Sequence, residues 1–332
     1  MRRAITFPLA ALALAVLAGC PNAGEDRILS VGATGVVKGL VYADQNGTLA
    51  PDGGDDSLKN VRVRLLVKGL RDSVAGAVTP ASGVYRMAGV PVGSYLVVVD
   101  STAIAPNGDT VRFAKADSTE ISVLPNDSVV VNVAFSYPRI TIAQARALPP
   151  GRMVFVVGVS LNPSNSFRDT TLHVQDTSAA IRVTRVRAAA VFPGDSVRLL
   201  GTTSRRSSLP TLDNVSVFPL GTTFLPTASQ VTTAVAATAQ GGALDAQQAL
   251  VLNATINDTA SVAGDFKLTV DDGSGALEVL LDATADPAFR APLLPGLYVP
   301  GNKFDVVGVL VPTGLAGVWR LKPRSAQDLV KR

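Results

Sequence analysis

The chain is nearly empty of side chains that do covalent or acid–base chemistry near neutral pH. It has one cysteine, Cys20, and one histidine, His173. A Ser-His-Asp relay or a histidine-rich zinc site has almost nothing to draw on. Asp271 and Asp272 adjoin at an extended strand end, which points them apart, so a turn with Gly273 is their expected role. No P-loop and no Gly-x-Gly-x-x-Gly beside a helix is present. Two clusters remain. The stretch "DQNGTLAPDGGDDSLKN" gathers Asp44, Asn46, Asp52, Asp55 and Asp56, hard oxygen donors of the kind calcium takes. Its spacing departs from an EF-hand loop, and Asn-Gly and Asp-Gly also simply make turns. Arg182, Arg185 and Arg187, with Arg205 and Arg206, form a basic group whose guanidinium forks suit a polyanion. The expectation is a protein that is not an enzyme and has no cofactor other than a candidate calcium.

Cys20 has a different use. The chain begins "MRRAITFPLAALALAVLAGCPNAGED": a basic head, an uncharged run from Ala4 to Gly19, then small residues. The run falls short of the roughly 20 residues needed to span hydrocarbon, which is the layout of a removable export signal. Leu17-Ala18-Gly19-Cys20 resembles the bacterial lipobox. That resemblance implies cleavage before Cys20, a diacylglyceryl group on its sulfur and acylation of the freed amine. Several acyl chains anchor stably where one binds only marginally. In that family an Asp after the cysteine retains the protein at the inner membrane, so Pro21 implies the outer membrane, with the protein periplasmic or surface-exposed.

The remainder must be built from strands. The chain of 332 residues is 47% hydrophobic with 29 Gly and 21 Pro, a composition of many short elements separated by turns. Runs such as "YLVVVD", "SVVVNVAF", "MVFVVGV" and "FDVVGVLV" are short and Val-rich, which favours strands over helices. Charge is uneven. Residues 139–224 carry 10 Arg against 4 Asp, a balance of +6. Residues 20–138 (10 basic, 12 acidic) and 225–332 (8 basic, 10 acidic) each stand at −2.

Three modules follow from the patterning. In "SGVYRMAGVPVGSYLVVV", Gly83-Val84-Tyr85 and Gly93-Ser94-Tyr95 bracket a turn, and Val129, Val131, Val133 and Phe135 share one face. This region resembles carboxypeptidase regulatory-like (prealbumin-like) and Cna-B-like domains, which implies a sandwich acting as spacer, stabiliser or adhesive module. Downstream the chain repeats itself. "LHVQDTSAAIRV" from Leu172 and "LTVDDGSGALEV" from Leu268 align at an offset of 96, and "PGDSVRLLG" later matches "PGNKFDVVG". Each unit reads as five strands of a small Greek-key barrel. The hairpin frame is similar to OB-fold domains. Leu268, Val270, Leu277 and Val279 should face the core. Lys267, Thr269, Asp271 and Glu278, and in the first copy Thr171, His173, Gln175, Arg182 and Thr184, should face outward.

The fold class expected is therefore all-β: a seven-stranded Greek-key β-sandwich followed by two tandem OB-like five-stranded β-barrels. The expected organisation is a signal peptide over 1–19, a lipidated tether over 20–34, a sandwich over 35–138, and barrels over 139–224 and 225–332. The function expected is a non-catalytic cell-envelope lipoprotein that presents its barrels to an envelope polysaccharide or protein partner. The alternatives are a nucleic-acid-binding accessory for an extracellular nuclease and a purely structural spacer. The shortage of aromatics, 5% of the chain, weighs against nucleic acid, because single-strand binders need stacking platforms as well as charge.

Overall fold

The computed structural model describes residues 32–70, 72–114, 119–164, 166–167, 171–184, 190–290 and 296–332. Leu17, Ala18, Gly19 and Cys20, the stretch that resembles a lipobox, lie outside them. The repeated hairpin forms twice in one register. Leu172–Gln175 pairs with Ala180–Val183, setting Leu172 opposite Val183 and Val174 opposite Ile181. Ninety-six positions on, Asp265–Asp271 pairs with Leu277–Leu281, setting Leu268 opposite Val279 and Val270 opposite Leu277. All eight of these side chains are buried. Alternation at period two therefore selects the inner face in both copies.

Each hairpin belongs to a closed five-stranded barrel. In the first, Met153–Ser160 pairs with Leu172–Gln175, and Ala180–Val183 runs parallel to Leu209–Thr222. Leu209–Thr222 then pairs with Asp195–Arg206, which returns to Met153–Ser160. The second repeats the circuit with Gln248–Val262, the hairpin, Trp319–Lys322 and Lys303–Pro312. Closure removes free strand edges from the circuit. Short strands Ser229–Gln230 and Leu329–Lys331 add to the outside of the second barrel.

The amino-terminal module is the expected sandwich. Ser73–Val78, Arg62–Val67, Gly93–Val99 and Thr119–Val123 make one sheet. Thr34–Ala43 centres the other, flanked by Val84–Pro91 and by Val133–Ser136. Tyr85 and Tyr95 lie deeper than half-buried, at 2% and 4% exposure. Burial at that depth is tolerable because both hydroxyls donate to carbonyls, Tyr85 to Val131 at 2.8 Å and Tyr95 to Pro91 at 2.7 Å.

Two short helices were not legible in the strand-rich pattern. Ile142–Ala147 and Thr233–Thr238 each precede a barrel, with N-caps Thr141 and Thr232. Each is capped a second time by the hairpin that follows. Asp176 accepts the Ile142 N–H at 2.8 Å and the Ser178 hydroxyl accepts the Ala143 N–H at 3.0 Å. Asp272 accepts the Thr233 N–H at 3.1 Å and Ser274 accepts the Ala234 N–H at 3.0 Å. The shared Asp-x-Ser is thus a clamp between hairpin turn and helix start. It satisfies donors that a helix of this length cannot satisfy itself.

Burial works to raise both carboxyls, but the N–H and hydroxyl donors outweigh it and hold Asp176 and Asp272 below the usual range. A depressed native value contributes stability that is full above the unfolded value of about 4 and fades as pH falls through the native one. Asp176→Ala should therefore cost about 1–2 kcal/mol at neutral pH in urea titration. The gap to the parent protein should narrow as pH is lowered below about 4.

Candidate functional site

In OB folds the outer face of the second and third strands is a common ligand surface. Here the first barrel's version of that face is covered. Thr171, His173, Gln175 and Thr184 are buried, and the Arg182 side chain is 12% exposed. The cover is the second barrel. Asp245, wholly buried, stands at the centre: its Oδ1 accepts the Trp319 indole N–H at 2.8 Å, and its Oδ2 lies 3.9 Å from Arg182 Nη2. Arg146, from the first barrel's helix, donates to the Asp245 and Gly242 carbonyls at 3.2 and 3.0 Å. Gln175 accepts the Gln248 N–H at 3.0 Å. Leu161 and Phe167 pack on Val309 and Val311 across the same seam. Arg182 thus faces Asp245, with its side chain 12% exposed, where the sequence pattern set it outward. Trp319 is a core residue with its N–H engaged.

Some of the seam's buried polar groups find partners, while among the described residues Arg182 Nε and Nη2 and Asp245 Oδ2 make no hydrogen bond. Lys322 donates to Asp282 at 3.0 Å and to the Phe167 carbonyl at 3.1 Å, and its ammonium sits 4.7 Å from the Phe167 ring centre. Asn162 Oδ1 accepts both the His173 N–H at 2.7 Å and ring Nδ1 at 3.0 Å, so Nδ1 carries the proton. His173 Nε2 has no hydrogen-bond partner and is fully enclosed. Burial first, and then the Arg182 and Lys322 charges, push His173 well below the ordinary histidine range. The one histidine is a neutral strut in a joint.

The acidic loop is a second joint. Asp44 is buried and accepts the N–H groups of Asn46, Gly47 and Leu49. Asp55 accepts from Gln45 and Asp52, Asp52 from Gly54 and the Asn46 amide, and Asp56 from the Gln45 amide. Among the described residues no group of three or more His, Cys, Asp or Glu is placed to hold a metal ion. The loop instead meets the first barrel, where Arg198 stacks 4.5 Å from the Phe218 ring and donates to the Gly47 carbonyl at 3.2 Å. Nearby, Asp109 of the sandwich accepts the Met153 N–H at 3.1 Å and pairs with Arg152. Arg205 and Arg206 are exposed at a hairpin end, with Arg206 3.8 Å from Asp213. Arg185 and Arg187 lie outside the described residues.

With one face occupied, the prominent concavity of the first barrel lies on the outside of its first strand. It encloses about 820 Å³, within the range of small-molecule sites. Val157, Val159 and Ser196 form its floor, and Thr141 and Gln144 of the capped helix form one wall. Gln175 and Thr177 close one end, and Phe224, Pro226 and Thr227 of the inter-barrel linker form the other wall. The linker is pinned on both sides of Phe224. The Thr223 N–H donates to the Gly194 carbonyl at 2.7 Å, and Leu225 packs at the barrel junction. Phe224 itself is 94% exposed. Phe224 thus adds an exposed ring beside the apolar floor of Val157 and Val159. Sequence reasoning missed this cleft. Its signal was "TTFLPT", a lone aromatic before a proline where the charge pattern changes.

No family model and no curated protein matches the chain. Among solved structures, it is similar over 33% of its length to a minor pilin of Streptococcus agalactiae, at 17% identity and a TM-score of 0.25. It covers 48% of that pilin, about half its length. It is similar over 51% of its length to a murine DNA-binding protein bound to double-stranded DNA, at 12% identity, 90% coverage of that chain and a TM-score of 0.29. Over 58% it is similar to the whole of a shaft pilin from Lactobacillus rhamnosus GG, at 11% identity and a TM-score of 0.23. The fold assignment rests on the strand pairing above and not on these likenesses.

Two outcomes follow for the seam. Because His173 is neutral when folded and free to charge when unfolded, its contribution is full above about pH 6.5 and is lost as pH falls below that. Chemical denaturation between pH 7 and 5 should show a loss approaching about 1.4 kcal/mol per pH unit, which His173→Gln flattens. Asp245→Ala strands the Trp319 N–H and removes the carboxylate that faces Arg182, while Arg146 keeps its bonds to the backbone carbonyls. The substitution should cost about 3–5 kcal/mol by the same measurement.

Proposed function

We propose that the protein is a non-catalytic binding module, held on the outer side of a bacterial membrane by acyl chains on Cys20, and that the first-barrel cleft is its ligand site. The observation that carries the site is the burial of the first hairpin's outer face under the second barrel. The Val157–Val159 floor is a concave surface of that barrel left uncovered, with an exposed aromatic beside it. Support for the anchor comes from the basic head, the short apolar run and Leu17-Ala18-Gly19-Cys20. Contacts of Arg152 with Asp109 and of Arg198 with Gly47 tie sandwich to barrel, so the sandwich carries the cleft on a firm base. Among the described residues the nucleic-acid alternative keeps Arg205 and Arg206 at the exposed hairpin end, while Arg182 faces Asp245.

Metabolic labelling with palmitate in a bacterial host tests the anchor. The full chain should take up label and sediment with membranes, while Cys20→Ala should stay unlabelled and leave the membrane fraction. A Cys20→Ala protein that remains firmly membrane-bound would overturn the lipid anchor.

A further inference from the structure

The lining of the cleft also defines what chemistry can fill it, provided the reading of that cleft as the ligand site holds. Its charged members are Arg139 and Asp176, one of each sign. Both Asp176 oxygens are already engaged, by Ile142 on one side and by Ser178 and Ala179 on the other. The cleft therefore offers no excess field to a polyanion, whose binding would rest on several uncompensated cations. An extended peptide is disfavoured for another reason. The floor strand Met153–Ser160 pairs with Asp195–Arg206 from Met153 to Val159, and its other edge is met by Leu172–Gln175 at Val159 and Ser160 and by Arg139 at Phe155, which leaves too short an open stretch for a peptide strand to add.

What remains is an apolar floor, an exposed phenyl ring and neutral hydrogen-bonding groups. Gln144 Oε1 accepts the Thr141 N–H, which leaves its amide NH₂ as a donor for a ligand. Thr177, Ser196 and Thr227 add hydroxyls, each both donor and acceptor. A sugar ring matches this set: its C–H face lies on Phe224 or the valines, and its rim of hydroxyls meets amide and hydroxyl partners. The cleft is open, so a chain can enter and leave. We infer that the first-barrel cleft binds a segment of an uncharged polysaccharide, with Phe224 as the stacking platform.

Affinity electrophoresis of the detergent-solubilised full chain tests this. The uncharged probes are galactomannan, hydroxyethyl cellulose and dextran, run beside heparin and a single-stranded oligonucleotide. At least one uncharged probe should retard the protein equally at low and high salt. Phe224→Ala, at a side chain too exposed to support the fold, should weaken that retardation roughly tenfold. Val159→Trp, which fills the floor, should abolish it. Retardation by none of the uncharged probes overturns the inference. If heparin or the oligonucleotide alone is retained and Val159→Trp removes that retention, the cleft stands as the site and the uncharged ligand falls. Retention indifferent to both variants removes the cleft itself.

Discussion

The joint between the two barrels depends on one buried carboxylate. Asp245 receives the Trp319 indole N–H from its own barrel and faces Arg182 from the other, while its carbonyl takes Arg146. Burial raises its carboxyl, and the Arg182 charge, the Trp319 N–H and Arg146 act against that shift. Two guanidinium groups, an indole and a carboxylate thereby fix the angle at which one barrel meets the other. An apolar interface would stick as well but would specify orientation less, since hydrophobic contact is non-directional.

That geometry explains why the hairpins share a frame and differ in charge. The inner residues cannot change without losing the barrel, and Leu172, Val174, Ile181 and Val183 match their counterparts. The outer residues answer to different surroundings. In the first copy they face a protein surface bearing Asp245, Gln248 and Lys322. In the second, Lys267 and Glu278 are half-exposed, 3.9 Å apart, with Arg320 3.1 Å from Glu278.

Period-two alternation made the barrels and sandwich legible, because core burial acts locally on every second residue. The seam was not legible. His173, Gln175 and Arg182 read as solvent-facing because polar residues at outward positions look the same whether water or a second domain covers them. The Asp-x-Ser motif read only as a turn, since its other half is a helix start about 35 to 40 residues upstream. The helices were hidden for a simpler reason: six residues hold too little periodicity, and tertiary capping rather than propensity stabilises them. Phe224 gave no periodic pattern, because a single exposed ring has no period.

The polarity of the seam has a mechanical consequence. Among the described residues Leu161, Phe167, Val309 and Val311 form a small buried apolar cluster there, and Leu209 packs on the second barrel's core; amides, guanidinium groups and an imidazole supply much of the rest. Surfaces of that kind hydrate when separated, whereas leucine-lined ones aggregate. A load that parted the barrels would therefore bare faces that water can solvate, a different outcome from baring a leucine-lined core.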